Sequence, residues 1–210
     1  MDRTELKEFA KKRLKENRWP MVLVSLIATI LSGASVACSR VTFDESGKVV
    51  PGNPILGLLG CVLAVLIVNI ITVGACKFFR DNVSVDEKAD VILYPFKNNY
   101  AKNVGTMLVV SIFVSLGVIL FVIPGFIVAV GLAPVPYLLT QKPELKAMDI
   151  IKLSWNLMKG HKWEYFVLIL SFIGWFFLDV LTLGILGIFY VHPYVDQTKA
   201  NYFDKLLADA

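Results

Sequence analysis

The sequence predicts an all-α membrane protein with six transmembrane helices, short cytoplasmic amphipathic helices and both termini in the cytoplasm. Three observations lead there. Of 210 residues, 56% are hydrophobic and 18% charged, with a mean hydropathy of +0.66; a soluble domain carries about a quarter charged residues. Apolar runs recur at 19–38, 55–76, 107–140, 163–180 and 181–195, several of them near the length of a membrane helix. The cations cluster beside these runs on alternate sides, as the positive-inside rule requires.

Residues 1–18 read as a cytoplasmic amphipathic helix, since LKEFAKKRLK puts Leu6, Phe9, Ala10 and Leu14 on one face and its lysines elsewhere. The first membrane helix is 19–38. SVAC at 35–38 offers small residues for signal cleavage, but a 20-residue apolar stretch behind a long basic region argues for a retained span. In the second, 55–76, Gly57, Gly60 and Ala64 give the small-residue spacing of close helix packing. Ser84 and Glu87 form a capping-box pattern for a short helix that ends or bends near Pro95.

The run 107–140 has no charged residue. As one helix it would be about 50 Å long, against a hydrocarbon core of about 30 Å. Lysine and arginine counts decide its course. Seven precede Trp19, two lie in 39–54, five in 77–106, five in 141–162 and two in the tail. Both flanks of 107–140 are therefore cytoplasmic, and the run must turn back. Pro124 and Gly125 suit that turn, Pro presetting φ and Gly accepting a positive φ. The arms 107–123 and 126–140 would each be about 22–26 Å long, and two short spans are favoured over a re-entrant pair.

Residues 143–160 read as a second cytoplasmic amphipathic helix, with Pro143 at its first position and Gly160 as its stop. Asp149, Lys152, Asn156 and Lys159 form its polar stripe; Met148, Ile151, Trp155 and Met158 lie on another face. Lys146, Lys152, Lys159 and Lys162 are the candidate contacts for anionic lipid. The last membrane helices are 163–180 and 183–200. RLKENRW (13–19) and LMKGHKW (157–163) echo each other, each a basic helix, a polar joint and a Trp that opens a span.

A net charge of +4 comes without zinc-finger spacing or an aromatic-basic stripe, so nucleic acid is not an expected partner. Cys38, Cys61 and Cys76 lack a CxxC pair and read as small core residues. His161 and His192 are the only histidines, and no GxSxG, Walker A, HExxH or GxGxxG occurs. Neither an enzyme nor a cofactor or metal is expected. Ionisable and amide groups at membrane depth remain: His192, Asp196, Asn69 and Asp179. His192 and Asp196, four apart, share a face if helix continues past Pro193, with His192 about 13 Å from Leu183. Such a cluster is either a proton- or solute-coupled site or a structural tie between helices; a single acidic neighbour favours the tie.

FVIPGFIVAVGLAPVPYLL (121–139), AMDIIKLSWNLMKGHKWEYFVLILSFIGWFFL (147–178) and LTLGILGIFYVHPY (181–194), with LYPFKNNYAKNVGTMLVV (93–110), resemble the bacterial integral-membrane family known as domain of unknown function 975. The likeness covers nearly all of the chain except 39–54. A looser likeness runs to the membrane domain that accompanies some glycerophosphodiester phosphodiesterases. The resemblance implies a six-helix protein of the bacterial plasma membrane and carries no catalytic residue over. Two functions follow as expectations: an accessory, scaffold or lipid-interacting membrane protein, or a small transporter or efflux component for an amphipathic or lipid-like compound. The expected partners are membrane lipids, and beyond them another membrane protein or a second copy of the chain.

Overall fold

The computed structural model describes residues 3–37, 41–43, 49–51, 54–84, 88–120 and 122–208, with side chains described at 3–30, 66–84, 88–118 and 124–208. Among the described residues the regular structure is helical apart from one short ribbon. Helix α1 (Arg3–Glu16) bends at Asn17 into α2 (Arg18–Ala37). Strands β1 (Val41–Phe43) and β2 (Val49–Pro51) pair antiparallel, Thr42 opposite Val50, in a loop for which the sequence predicted no strand. Helix α3 (Pro54–Asp81) follows, 28 residues long. A 3-10 turn, Ala89–Leu93, leads into α4 (Tyr94–Lys97) with Pro95 in its first turn, where a missing N–H costs nothing. Glu87 of the predicted capping box lies outside the described residues, as do the side chains around Gly57, Gly60 and Ala64.

Next come α5 (Tyr100–Leu120), α6 (Val122–Leu132) and α7 (Val135–Gln141). The run 107–140 does fold back on itself, α5 packing along α6. Pro124 and Gly125, however, lie in the first turn of α6 rather than between the arms. Gly125 serves by its size: a Cβ there would stand 2.5 Å from the Val118 backbone nitrogen, so only hydrogen lets the two arms meet. The α6/α7 break at Ala133 and Pro134 follows from proline, which removes a donor and crowds the preceding turn.

Helix α8 (Ala147–Leu157) starts four residues later than Pro143 suggested. The Pro143 carbonyl instead accepts a bond from Lys102 Nζ at 2.7 Å, in a turn. Gly160 does stop the segment, at φ +82. Helices α9 (Lys162–Leu170) and α10 (Ile173–Leu181) form one apolar stretch, bent at Ser171 and Phe172. There the Ser171 hydroxyl donates back to the Leu168 carbonyl, a competitor to the helix ladder. After the turn at 182–184 a single π-helical turn, Gly187–Val191, opens α11 (His192–Ala208). Pro193 explains it. With no N–H at 193, one residue is accommodated extra, and the His192 N–H reaches back to the Gly187 carbonyl.

Three stretches among the described residues are long and apolar enough to cross a membrane: Tyr100–Val118, Pro124–Gln141 and Lys162–Leu181. Burial concentrates at one end of the helices. Tyr137, Tyr165, Tyr202 and Phe203 form an aromatic cluster, with Tyr137–Phe203 and Tyr165–Phe203 centroids 5.0 and 5.1 Å apart. Ring pairs continue along the α9/α10–α11 hairpin through Phe172–Tyr194 to Trp175–Tyr190, fixing its register. Beyond them the surface is apolar and exposed. Phe126 meets Phe166 edge-on at 5.4 Å, so the tip of the α5/α6 hairpin lies beside α9, while α10 continues past it.

Candidate membrane site and basic face

The structure divides the predicted polar cluster in two. His192 Nε2 stands 3.7 Å from an Asp179 carboxylate oxygen, linking α10 to the start of α11. Asp196 faces elsewhere and pairs with Lys199 at 3.4 Å. His192 is met by Asp179 across the hairpin and not by Asp196 one turn along its own helix. The carboxylate of Asp179 also accepts the Gly187 N–H at 2.7 Å, and a Cβ at Gly187 would collide with it. Asp179 thus caps a backbone donor freed where the helix opens. Asn69, on α3, is joined to neither pair; its amide nitrogen and the hydroxyl of Ser25, on the adjacent α2, are buried without a hydrogen-bond partner.

The basic residues form two surfaces. On α8 and its exit, Lys146, Lys152 and Lys159 are exposed, and the Lys162 ammonium sits 3.4 Å over the Trp155 ring, a cation–π contact. On α1 Lys7 and Arg13 turn inward, while Arg3, Lys11, Lys12 and Lys15 stay exposed. Lys7 Nζ donates to the Ser171 carbonyl at 3.1 Å, at the α9/α10 bend, and lies 4.3 Å over the Phe172 ring. Partial burial, then Lys11 and Arg3, hold the Lys7 ammonium below its usual pKa. Trp19 and Trp163, the openings of the two echoing segments, are 69% and 73% exposed.

Sequence reasoning missed an amide network at the packed end. Asn17 donates to the Asn82 side chain at 2.7 Å, Asn82 to Gln197 at 2.9 Å, and Gln197 to both the Phe79 carbonyl and Asn201. Asn201 reaches the Leu6 carbonyl. Asn82, Gln197 and Asn201 are buried, and together they fasten α1, the end of α3 and α11. The visible signal was the i, i+4 spacing of Gln197 and Asn201. Cys76 is free and buried. Among the described residues no group of three or more His, Cys, Asp or Glu is placed to hold a metal ion.

Residues 91–210 match the protein family described as "Protein of unknown function (DUF975)". No curated protein matches the chain, and no solved structure does.

Proposed function

The chain belongs to the DUF975 family, and on that footing we propose a non-enzymatic, multi-pass protein of the bacterial plasma membrane, acting as an accessory or scaffold in contact with lipid. Six helical segments enter the bilayer as three hairpins, α2/α3, α5/α6–α7 and α9–α10/α11. Both termini are cytoplasmic, because the basic segments all gather at that side.

One observation carries the reading. Helix α10 and the turn after it expose a run of large apolar residues, among them Phe177 (71%), Val180 (77%) and Leu183 (92%). Water would leave such a surface prone to aggregation, whereas lipid covers it. Leu183 adds a local argument, since its φ of 54° is costly for a side chain with a Cβ. A water-exposed turn favours Gly or Asn there; an apolar anchor at a membrane boundary gives leucine a reason. The exposed lysines of α8 then lie where anionic headgroups are, each worth about 1 kcal/mol near the surface.

Alkaline carbonate washing of membranes tests this. The protein should stay in the pellet, and release into the supernatant would contradict it. Glutamine at Lys146, Lys152, Lys159 and Lys162 together should weaken association with phosphatidylglycerol and remove its salt dependence. The transporter reading has one feature in its favour, the bend at Ser171 set against the π turn of the neighbouring helix, because interrupted helices build solute sites in membranes.

A further inference from the structure

We infer that the cleft where α8 crosses the α5/α6 hairpin binds one anionic glycerophospholipid, with its headgroup at Lys152 and an acyl chain on the hairpin; this rests on the membrane reading above. The cleft has a volume of about 410 Å³. Phe113, Val128 and Leu132 form its floor, and Lys152, Trp155 and Asn156 its mouth. It is therefore graded, apolar at one end and polar at the other, as a lipid is.

Each end has independent support. Phe113 is itself 45% exposed, and Ile112 and Leu116 beside it are more so, which continues the floor onto the outer surface of α5. A chain seated there runs out into the surrounding lipid without leaving apolar contact. At the mouth, Lys152 and Asn156 are one helical turn apart and exposed. Among the described residues the Lys152 ammonium has no ion pair or hydrogen bond. Lys162, held over Trp155, adds a second positive charge to the same place. Asp149 is the sole acid on α8, so the mouth stays net positive. The Ser154 hydroxyl donates to the Gly131 carbonyl at 2.9 Å and pins α8 on α6, which keeps the cleft formed. A free phosphate would leave the apolar floor unused, and a zwitterionic lipid would gain nothing from the paired lysines.

Tryptophan fluorescence reads this directly. With Trp19, Trp163 and Trp175 changed to Phe, Trp155 is the one remaining indole. The protein is reconstituted in phosphatidylcholine vesicles with a minor fraction of dibrominated phosphatidylglycerol, or the same fraction of dibrominated phosphatidylcholine. The anionic quencher should quench Trp155 more strongly. Lys152→Gln should cut that preference about fivefold, the factor expected for one surface lysine. Lys97→Gln, exposed on α4 outside the cleft, should leave it unchanged, and Val128→Phe, filling the floor, should lower quenching by either lipid. Equal quenching by the two lipids, an unaffected preference in Lys152→Gln, or loss of the preference on adding inorganic phosphate at constant ionic strength would overturn the site. A protein keeping only Trp163 separates the two ideas. No quenching of Trp163 by any brominated lipid defeats the membrane reading, whereas quenched Trp163 with no preference at Trp155 defeats the site alone.

Discussion

Asp179 closes the start of the last helix by accepting the Gly187 N–H. Gly187 lies in the first turn of the helix that restarts at Ile185, so its N–H has no helical partner, and Asp179 accepts it at 2.7 Å. The carboxylate is thus a cap first and a partner of His192 second, since that contact is 3.7 Å long. Asp179→Ala should lower stability by about 1–3 kcal/mol, the cost of an orphaned donor, seen as a lower midpoint of thermal unfolding in detergent. His192→Gln should barely move that midpoint, and proteoliposomes of the wild type should show no pH-dependent flux for it to abolish. A neutral Asp179→Ala, or a proton-coupled flux lost with Gln, would reverse the assignment. The sequence disclosed that ionisable groups lie deep in an apolar run, and Pro193 was visible as a disturbance. Their pairing was not legible, because His192 and Asp196 do share the unbroken α11, but the partner of His192 is set by the turn at 182–184 that brings Asp179 beside it, a tertiary contact that helical spacing does not encode.

Helix α1 shows the same limit at the next scale. Its amphipathic stripe was plain in the sequence, but a stripe does not say what covers it. Leu6, Ala10 and Leu14 are covered by protein, with exposures of 1%, 0% and 4%, and α11 is the helix that α1 packs along. Phe9, 36% exposed, is the member of the stripe left outside. The amide network locks this arrangement, so Gln197→Leu, leaving the Asn82 and Asn201 amides short of partners, should cost about 2–4 kcal/mol. Proteolysis at the Asn17 joint should accelerate in that variant; unchanged proteolysis would mean that α1 is held by apolar contact alone. The α5/α6 turn was legible from charge bookkeeping, while the role of Gly125 was not, because close approach depends on a neighbouring helix. Since Phe126 rests on Phe166, that hairpin reaches less far than α10. A cysteine at Val118 should react with an impermeant thiol reagent more slowly than one at Thr182, and equal rates would contradict the shallower placement.

For the molecule as a whole, composition was enough to read an apolar helical protein, and the family match bears on more than half of the chain. Hydropathy is additive along a chain, which is why these features survive without a structure. The graded cleft under α8 is not additive: Phe113, Val128 and Lys152 come from three helices that only packing brings together. On the proposed topology the buried core, the docked α1 and the lysines of α8 all lie at the cytoplasmic end. Cysteine accessibility in intact cells tests that most directly, in a background with Cys38, Cys61 and Cys76 changed to Ala. Cysteines placed at Gly47 and Thr182 should be labelled by an impermeant maleimide from outside, and cysteines at Asn98 and Gln141 should react only after the membrane is opened. Labelling of Asn98 or Gln141 in sealed cells would contradict the account.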